Sequence, residues 1–324
     1  MWNNRNIYLF IMKKQFIMAA FACILLASCS SEDSPSGAQT ATTKDELNIV
    51  MGGIDTRSVK SAWTADDEVN VFVTGIGYAP TVATYKYSGA AWAPSTTGTG
   101  VKLTGNPASV YAFYPKTLSL SSVASTGTFS VTIPVSDDFT ATATPDYLWG
   151  TGTPASNLTP GTTNSSTLTM KHSLAKISFI INSDGTYPIV TDDVTKIVLS
   201  SIGGKLVTAG NTTVGSGSFT ATASAGTDFT YSGKATINNV SGNTITAYAL
   251  VAPMKYTTAS DISLKITIDG KDMTVSGFPV TPDWSDAGKN YVYTITVTPT
   301  DLVVASTVAI TDWTASSVTG LTAN

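Results

Sequence analysis

Apolar residues in this chain recur at every second position over many segments. Val69, Val71 and Val73 form one such set, followed by Ile177, Phe179 and Ile181, by Leu264, Ile266 and Ile268, and by Tyr291, Tyr293, Ile295 and Val297. Successive side chains of a strand point to opposite faces, so each set marks one face of a sheet. No stretch sustains the 3.6-residue period of an amphipathic helix. Thr, Ser, Gly and Val dominate and charged residues make up only 12% of the chain, which suits pleated strands and turns. Between Ile262 and Val275, Asp269-Gly270 separates two alternating runs and supplies the positive φ angles of a two-residue hairpin turn. The expected fold is all-β, with many short strands in sandwiches or barrels.

Polar, Gly-rich and Thr-rich punctuation at 95–100, 150–166 and 208–228 separates the strands. The longest gap in apolar patterning, 150–166, carries two prolines and many hydroxyl residues. A boundary between two β-sandwich domains, 47–166 and 167–324, is expected there.

The N-terminus reads as an export signal. Met12, Lys13 and Lys14 open a basic stretch, and the apolar run Phe16 to Leu26 follows. That run is too short to span a bilayer. It ends in Leu26-Ala27-Ser28-Cys29, the pattern of a lipobox, so residues 1–28 are expected to be removed and Cys29 to carry a covalent lipid. Met12 alone would open a signal of ordinary length. Ser30-Ser31-Glu32-Asp33-Ser34 resembles the export tag of Bacteroidetes surface lipoproteins, and small polar residues continue to Thr43. Residues 29–46 are therefore a flexible tether, with folded structure starting near Leu47.

Cys23 leaves with the signal and Cys29 is acylated, so the mature body has no thiol. Its stability must come from core burial rather than disulfides. Loss of residues 1–28 removes Arg5, Lys13 and Lys14 and no acid, leaving fifteen basic against 22 acidic side chains and a net charge near −7. With no basic cluster, nucleic acid is not an expected partner, and acyl chains rather than charge hold the membrane.

The parts for catalysis are few. His172 is the single histidine and reads as a hydrogen-bonded strand or edge residue, so zinc sites and Cys-His or Ser-His-Asp catalysis lack their groups. Asp66-Asp67, Asp137-Asp138 and Asp192-Asp193 are adjacent pairs that would point to opposite faces of a strand, and none has the oxygen spacing of a calcium loop. They read as turn-forming or solvated acids. Trp63, Trp92, Trp149, Trp284 and Trp313 each adjoin a turn or an alternating run and read as packing residues, or as a sugar platform if exposed. No enzymatic activity and no cofactor beyond the lipid are expected.

A series of short motifs runs in order along the chain. It begins with Asp55-Thr56-Arg57, then Ala62-Trp63 and Asp67-Glu68-Val69-Asn70-Val71-Phe72. Tyr85, Trp92 and Tyr111-Ala112-Phe113-Tyr114-Pro115 follow, then Asp146-Tyr147-Leu148-Trp149, Lys171-His172-Ser173-Leu174-Ala175-Lys176-Ile177 and Leu250-Val251-Ala252-Pro253. It closes with Trp284, Ala287-Gly288-Lys289-Asn290-Tyr291-Val292-Tyr293 and Ile310-Thr311-Asp312-Trp313. With a lipobox and a spacer before it, this order resembles the fimbrillin family of Bacteroidales, subunits and accessory proteins of type V pili. Met254 departs from many relatives, which carry a more polar residue after the proline.

The resemblance implies two transthyretin-like β-sandwich domains, an outer-membrane, cell-surface location and assembly with other pilin subunits. In shaft subunits of that family a protease cuts after a basic residue, removing the first strand with its lipid, and a C-terminal strand of another subunit fills the groove. Arg57 is the sole arginine of the mature chain and follows the strand candidate Leu47 to Ile54, which makes Arg57-Ser58 the expected maturation site beside a plain surface-arginine reading. Leu302 to Trp313 is the donor candidate, with Val304, Val308 and Ile310 on one parity and Trp313 as anchor. An ordinary last strand of the second domain would look the same. The alternative function is a surface lipoprotein that binds glycans, or host or bacterial surface ligands, and does not polymerise.

Overall fold

A computed structural model describes residues 46–54, 62–140, 144–152, 165–187, 193–224, 228–237, 244–276, 279 and 281–312. Cys29, Arg57, Ser58 and Trp313 lie outside the described residues, as do the expected signal and all but the last residue of the tether. The described part is all-β: its strands, numbered in chain order, make four sheets, with one 3-10 turn at Ala259–Asp261.

The first sheet joins β1 (Asn48–Ile54), β2 (Glu68–Thr74), β3 (Ala83–Tyr87), β4 (Trp92–Pro94), β5 (Ser109–Tyr114), β8 (Leu148–Gly152) and β9 (Ser165–His172) in the spatial order β1-β9-β8-β5-β2-β3-β4. Leu47, Ile49, Val69, Val71, Tyr85, Val110, Leu148, Leu168 and Met170 cluster on one face. The chain after β4 returns to β1, where the Leu47 N–H donates to the Val101 carbonyl at 2.9 Å, and Val101 and Leu103 close the same cluster.

A second, larger cluster lies between two sheets. One holds β15 (Thr244–Val251), β10 (Ala175–Ser183), β18 (Lys289–Val297) and β19 (Leu302–Val304), with β20 (Ala309–Asp312) also on β18. The other holds β17 (Lys271–Ser276), β16 (Ile262–Ile268), β11 (Asp193–Ser201), β14 (Phe229–Thr236) and β7 (Ser136–Asp138). Ile177, Phe179, Ile181, Tyr293 and Ile295 from one side share this core with Leu199, Phe229, Leu264 and Ile266 from the other. A three-stranded sheet, β13 (Phe219–Ser224), β12 (Val207–Thr213) and β6 (Thr128–Thr132), adds Phe129 and Val131 to it. The expected hairpin is present: β16 pairs antiparallel with β17, and Asp269 and Gly270 take φ 51° and 77° at its turn.

Sheet pairing does not divide the chain at 166. The 150–166 stretch begins in the last three residues of β8 and ends in the first two of β9, and those strands pair from Leu148↔His172 to Gly152↔Leu168. In the opposite sense, β6 and β7 precede that stretch yet pair with β12 and β14 beyond it. Polar, Gly- and Pro-rich composition is common to domain linkers and to the segments between paired strands, so local sequence does not distinguish the two.

Candidate functional site

The first strand is the place where the structure bears on function. β1 stands at the edge of its sheet and pairs in parallel with β9 alone, from Asn48↔Ser165 to Ile54↔Met170, with a register shift after Met51. Leu47 and Ile49 are buried, Met51 packs against the same cluster, and Val50, of opposite parity, is 50% exposed. This alternation seals the first core with one strand.

Polar contacts clamp the start of β1. The Tyr85 hydroxyl donates to the Leu47 carbonyl at 2.7 Å and accepts from the Val101 N–H at 3.2 Å. Burial pushes its pKa well above the ordinary tyrosine value. Glu46, 2% exposed, accepts from the Gly100 N–H at 3.1 Å and from Lys102 Nζ at 2.5 Å. Farther along, β1 and β4 do not pair but flank a groove of about 350 Å³ whose lining includes Met51, Trp63, Tyr87 and Trp92. Removal of β1 together with Leu47 would bare the β9 edge, take from the Tyr85 hydroxyl its acceptor and open the cluster at Leu168 and Met170. Glu46 and Tyr85 act here through contacts with residues far along the chain, which no local pattern announces.

At the other end of the chain, β19 and β20 lie one after the other along the free edge of β18, both antiparallel, with pairs Ile295↔Val304 and Tyr291↔Ile310. Those pairs put Val304 and Ile310 on the core side of the sheet, and Val304 and Val308 pack partly against the core. Ile310 is 50% exposed even so. Thus the C-terminal segment occupies its own sheet edge, held more firmly at Leu302, which is buried, than at β20.

The remaining candidates have structural partners. His172 ends β9, and its buried Nδ1 lies 2.8 Å from Asp146 Oδ1. Lys176, the second residue of β10, is 7% exposed with its ammonium over the Tyr248 ring at 4.7 Å. Asp67 accepts from the Thr64 N–H at 2.7 Å, Asp66 pairs with Lys86, and Asp137 accepts from the Thr144 N–H at 3.1 Å. Of the described tryptophans, Trp63 and Trp92 lie together in the groove beside β1, while Trp149 and Trp284 pack elsewhere. Trp284 is buried, donating to the Tyr293 hydroxyl at 2.7 Å, Trp63 meets Trp92 edge to face at 5.0 Å, and Lys171 lies over Trp149. Among the described residues no three His, Cys, Asp or Glu side chains converge as a metal site, and no helix is long and apolar enough to cross a membrane.

The site is thus an edge strand with one pairing partner, β9, that covers an apolar cluster and flanks a groove lined by aromatic rings. The sequence profile of the fimbrillin-like family matches residues 56–313, and the chain belongs to that family. Its fold is shared with solved structures of low identity. A protein from Bacteroides ovatus ATCC 8483 provisionally assigned to cell adhesion superposes with a TM-score of 0.60 at 19% identity, over 84% of this chain and 98% of that one. One from Bacteroides uniformis ATCC 8492 with the same provisional assignment gives 0.58 at 18%, over 83% and 97%. A fimbrial protein from Bacteroides vulgatus ATCC 8482 gives 0.55 at 13%, over 83% and 99%. No curated protein matches the sequence. Family membership gives the chain a pilus or adhesin-type role at the cell surface.

Proposed function

We propose that the chain is a structural subunit of a type V pilus, made as a lipoprotein acylated at Cys29, carried to the outer-membrane surface and matured by cleavage between Arg57 and Ser58. Cleavage there releases β1 with its tether and lipid, and the groove on β9 then takes the C-terminal segment of another subunit, with Val304, Val308 and Ile310 as the inserted row and Trp313 as anchor. The observation that carries this reading is the position of β1: an edge strand with one pairing partner, covering a core with Leu47, Ile49 and Met51, and ending three residues before the only arginine of the mature chain. A strand added to such an edge gains main-chain hydrogen bonds and re-buries apolar side chains at about 25 cal/mol per Å².

A non-polymerising adhesin is the second reading, and the pairing of β19 and β20 with their own β18 favours it. Unheated detergent gels of cells carrying the natural chain or Arg57→Ala separate the two. A ladder of high-mass species that disappears in Arg57→Ala supports strand exchange; a single band from both forms supports the second reading.

A further inference from the structure

Three loops far apart in sequence converge on a cleft of about 520 Å³. One is the β12–β13 turn with Ser216, Ser218 and Phe219, one follows β15 with Met254 and Lys255, and one precedes β18 with Ser285, Asp286 and Lys289. Main-chain bonds fix all three: Gly217 N–H to Thr213 O at 2.8 Å, Met254 N–H to Trp284 O at 2.8 Å and Gly288 N–H to Leu174 O at 2.8 Å. The walls are thus built in the unliganded chain, in the size range of small-ligand sites.

The chemistry of the walls is specific. A Cβ added to Gly210 would fall 2.2 Å from Cζ and 2.7 Å from Cε2 of Phe219, so the ring lies down on the β12 backbone while it also lines the cleft. An aromatic ring backed by a strand is a flat platform for the C–H face of a sugar ring. Ser216, Ser218 and Ser285 line the same cleft, the Ser216 hydroxyl donating to Ser218 Oγ at 2.9 Å. Lys255 is exposed and forms no ion pair with a described residue, Lys289 lines the same cleft, and Asp286 is the single acid of the lining. The Trp149 indole lies against Gly217 and backs that turn of the cleft wall. Cations gathered at one cleft of a chain whose formal charge is −4 concentrate anions there.

We infer that this cleft binds an acidic saccharide, with Phe219 under a sugar ring and Lys255 and Lys289 on carboxylate or sulfate groups. The site is formed by residues remote from β1 and Arg57 and so stands whether or not the subunit polymerises. Isothermal titration of the full mature chain with a galacturonate tetrasaccharide, a heparin tetrasaccharide and neutral cellotetraose tests it. Expected is binding of at least one anionic probe over the neutral one, weakened about tenfold or more in Lys255→Gln/Lys289→Gln and in Phe219→Leu. Lys271→Gln, at the β16–β17 turn, should leave it unchanged. Whether carboxylate or sulfate is preferred follows from the two anionic probes. Equal affinity for cellotetraose, equal loss in Lys271→Gln, or no heat from any probe at millimolar concentration overturns the inference. Thermal midpoints of the variants, which alter surface groups and one partly exposed ring, report whether each is folded.

Discussion

Tyr85 is the residue on which the seat of β1 depends most directly. Its hydroxyl satisfies a carbonyl of the strand and an amide of the segment that meets it, so Tyr85→Phe leaves both groups unpaired in a dry cluster. The expected loss is about 1–3 kcal/mol in urea denaturation of the full mature chain, with faster proteolysis after Arg57. At Lys176, burial lowers the ammonium pKa to about 8, and the charge of Asp146 works in the other direction. Between about pH 8 and pH 10.5 the unfolded chain retains a proton that the folded chain has released, so this residue makes stability rise with pH across that window. The buried tyrosines act with opposite sign. Burial raises Tyr291 to about 12, and Tyr85, Tyr231, Tyr256 and Tyr293 are raised for the same leading reason. Above about pH 10 the unfolded chain ionises its tyrosines and the folded chain resists, so stability falls. Urea midpoints across this range should therefore peak near pH 10. Lys176→Met should remove the rising limb, raise stability at pH 7 by on the order of 3 kcal/mol and leave the alkaline fall in place.

At the scale of elements, β1 and β20 differ in how they are held. Leu47 and Ile49 are buried and Met51 partly so, each fully buried large apolar side chain being worth roughly 1.5–3 kcal/mol, and after cleavage the bared groove should not persist in solution. A chain cut after Arg57 in vitro is expected to aggregate or polymerise, and a synthetic peptide of residues 302–313 should keep it monomeric, as read by native mass spectrometry. Ile310, half-exposed on β20, contributes little to its own subunit, so Ile310→Asp should leave the folding midpoint within about 0.5 kcal/mol while reducing polymer on unheated gels. The β16–β17 hairpin was legible because everything that specifies it lies within fourteen consecutive residues, from Ile262 to Val275. β2 was legible on one face only. Val69, Val71 and Val73 announce the first core, but Phe72 is buried on the opposite face through contacts with Tyr111 and Phe113, and that second layer has no local signature.

For the molecule as a whole, alternation and turn chemistry sufficed for the all-β class, whereas the path of the chain between layers did not follow from them. β6 and β7 leave the first sheet's neighbourhood in sequence to pair with β12 and β14, and β9 returns to it. Such pairings depend on which edges meet after collapse, which no stretch of a few residues encodes. The saccharide cleft is equally invisible, since its walls come from residues 216–219, 253–255 and 285–289. The two ends of the chain bear on the central claim more than any of these. If β1 is a removable plug, the surface form of the protein has lost it, and mass spectrometry of the N-terminus of protein sheared from the cell surface decides the matter. The account predicts a polymer-associated chain beginning at Ser58; a polymer-associated chain that still begins at acylated Cys29 would contradict it.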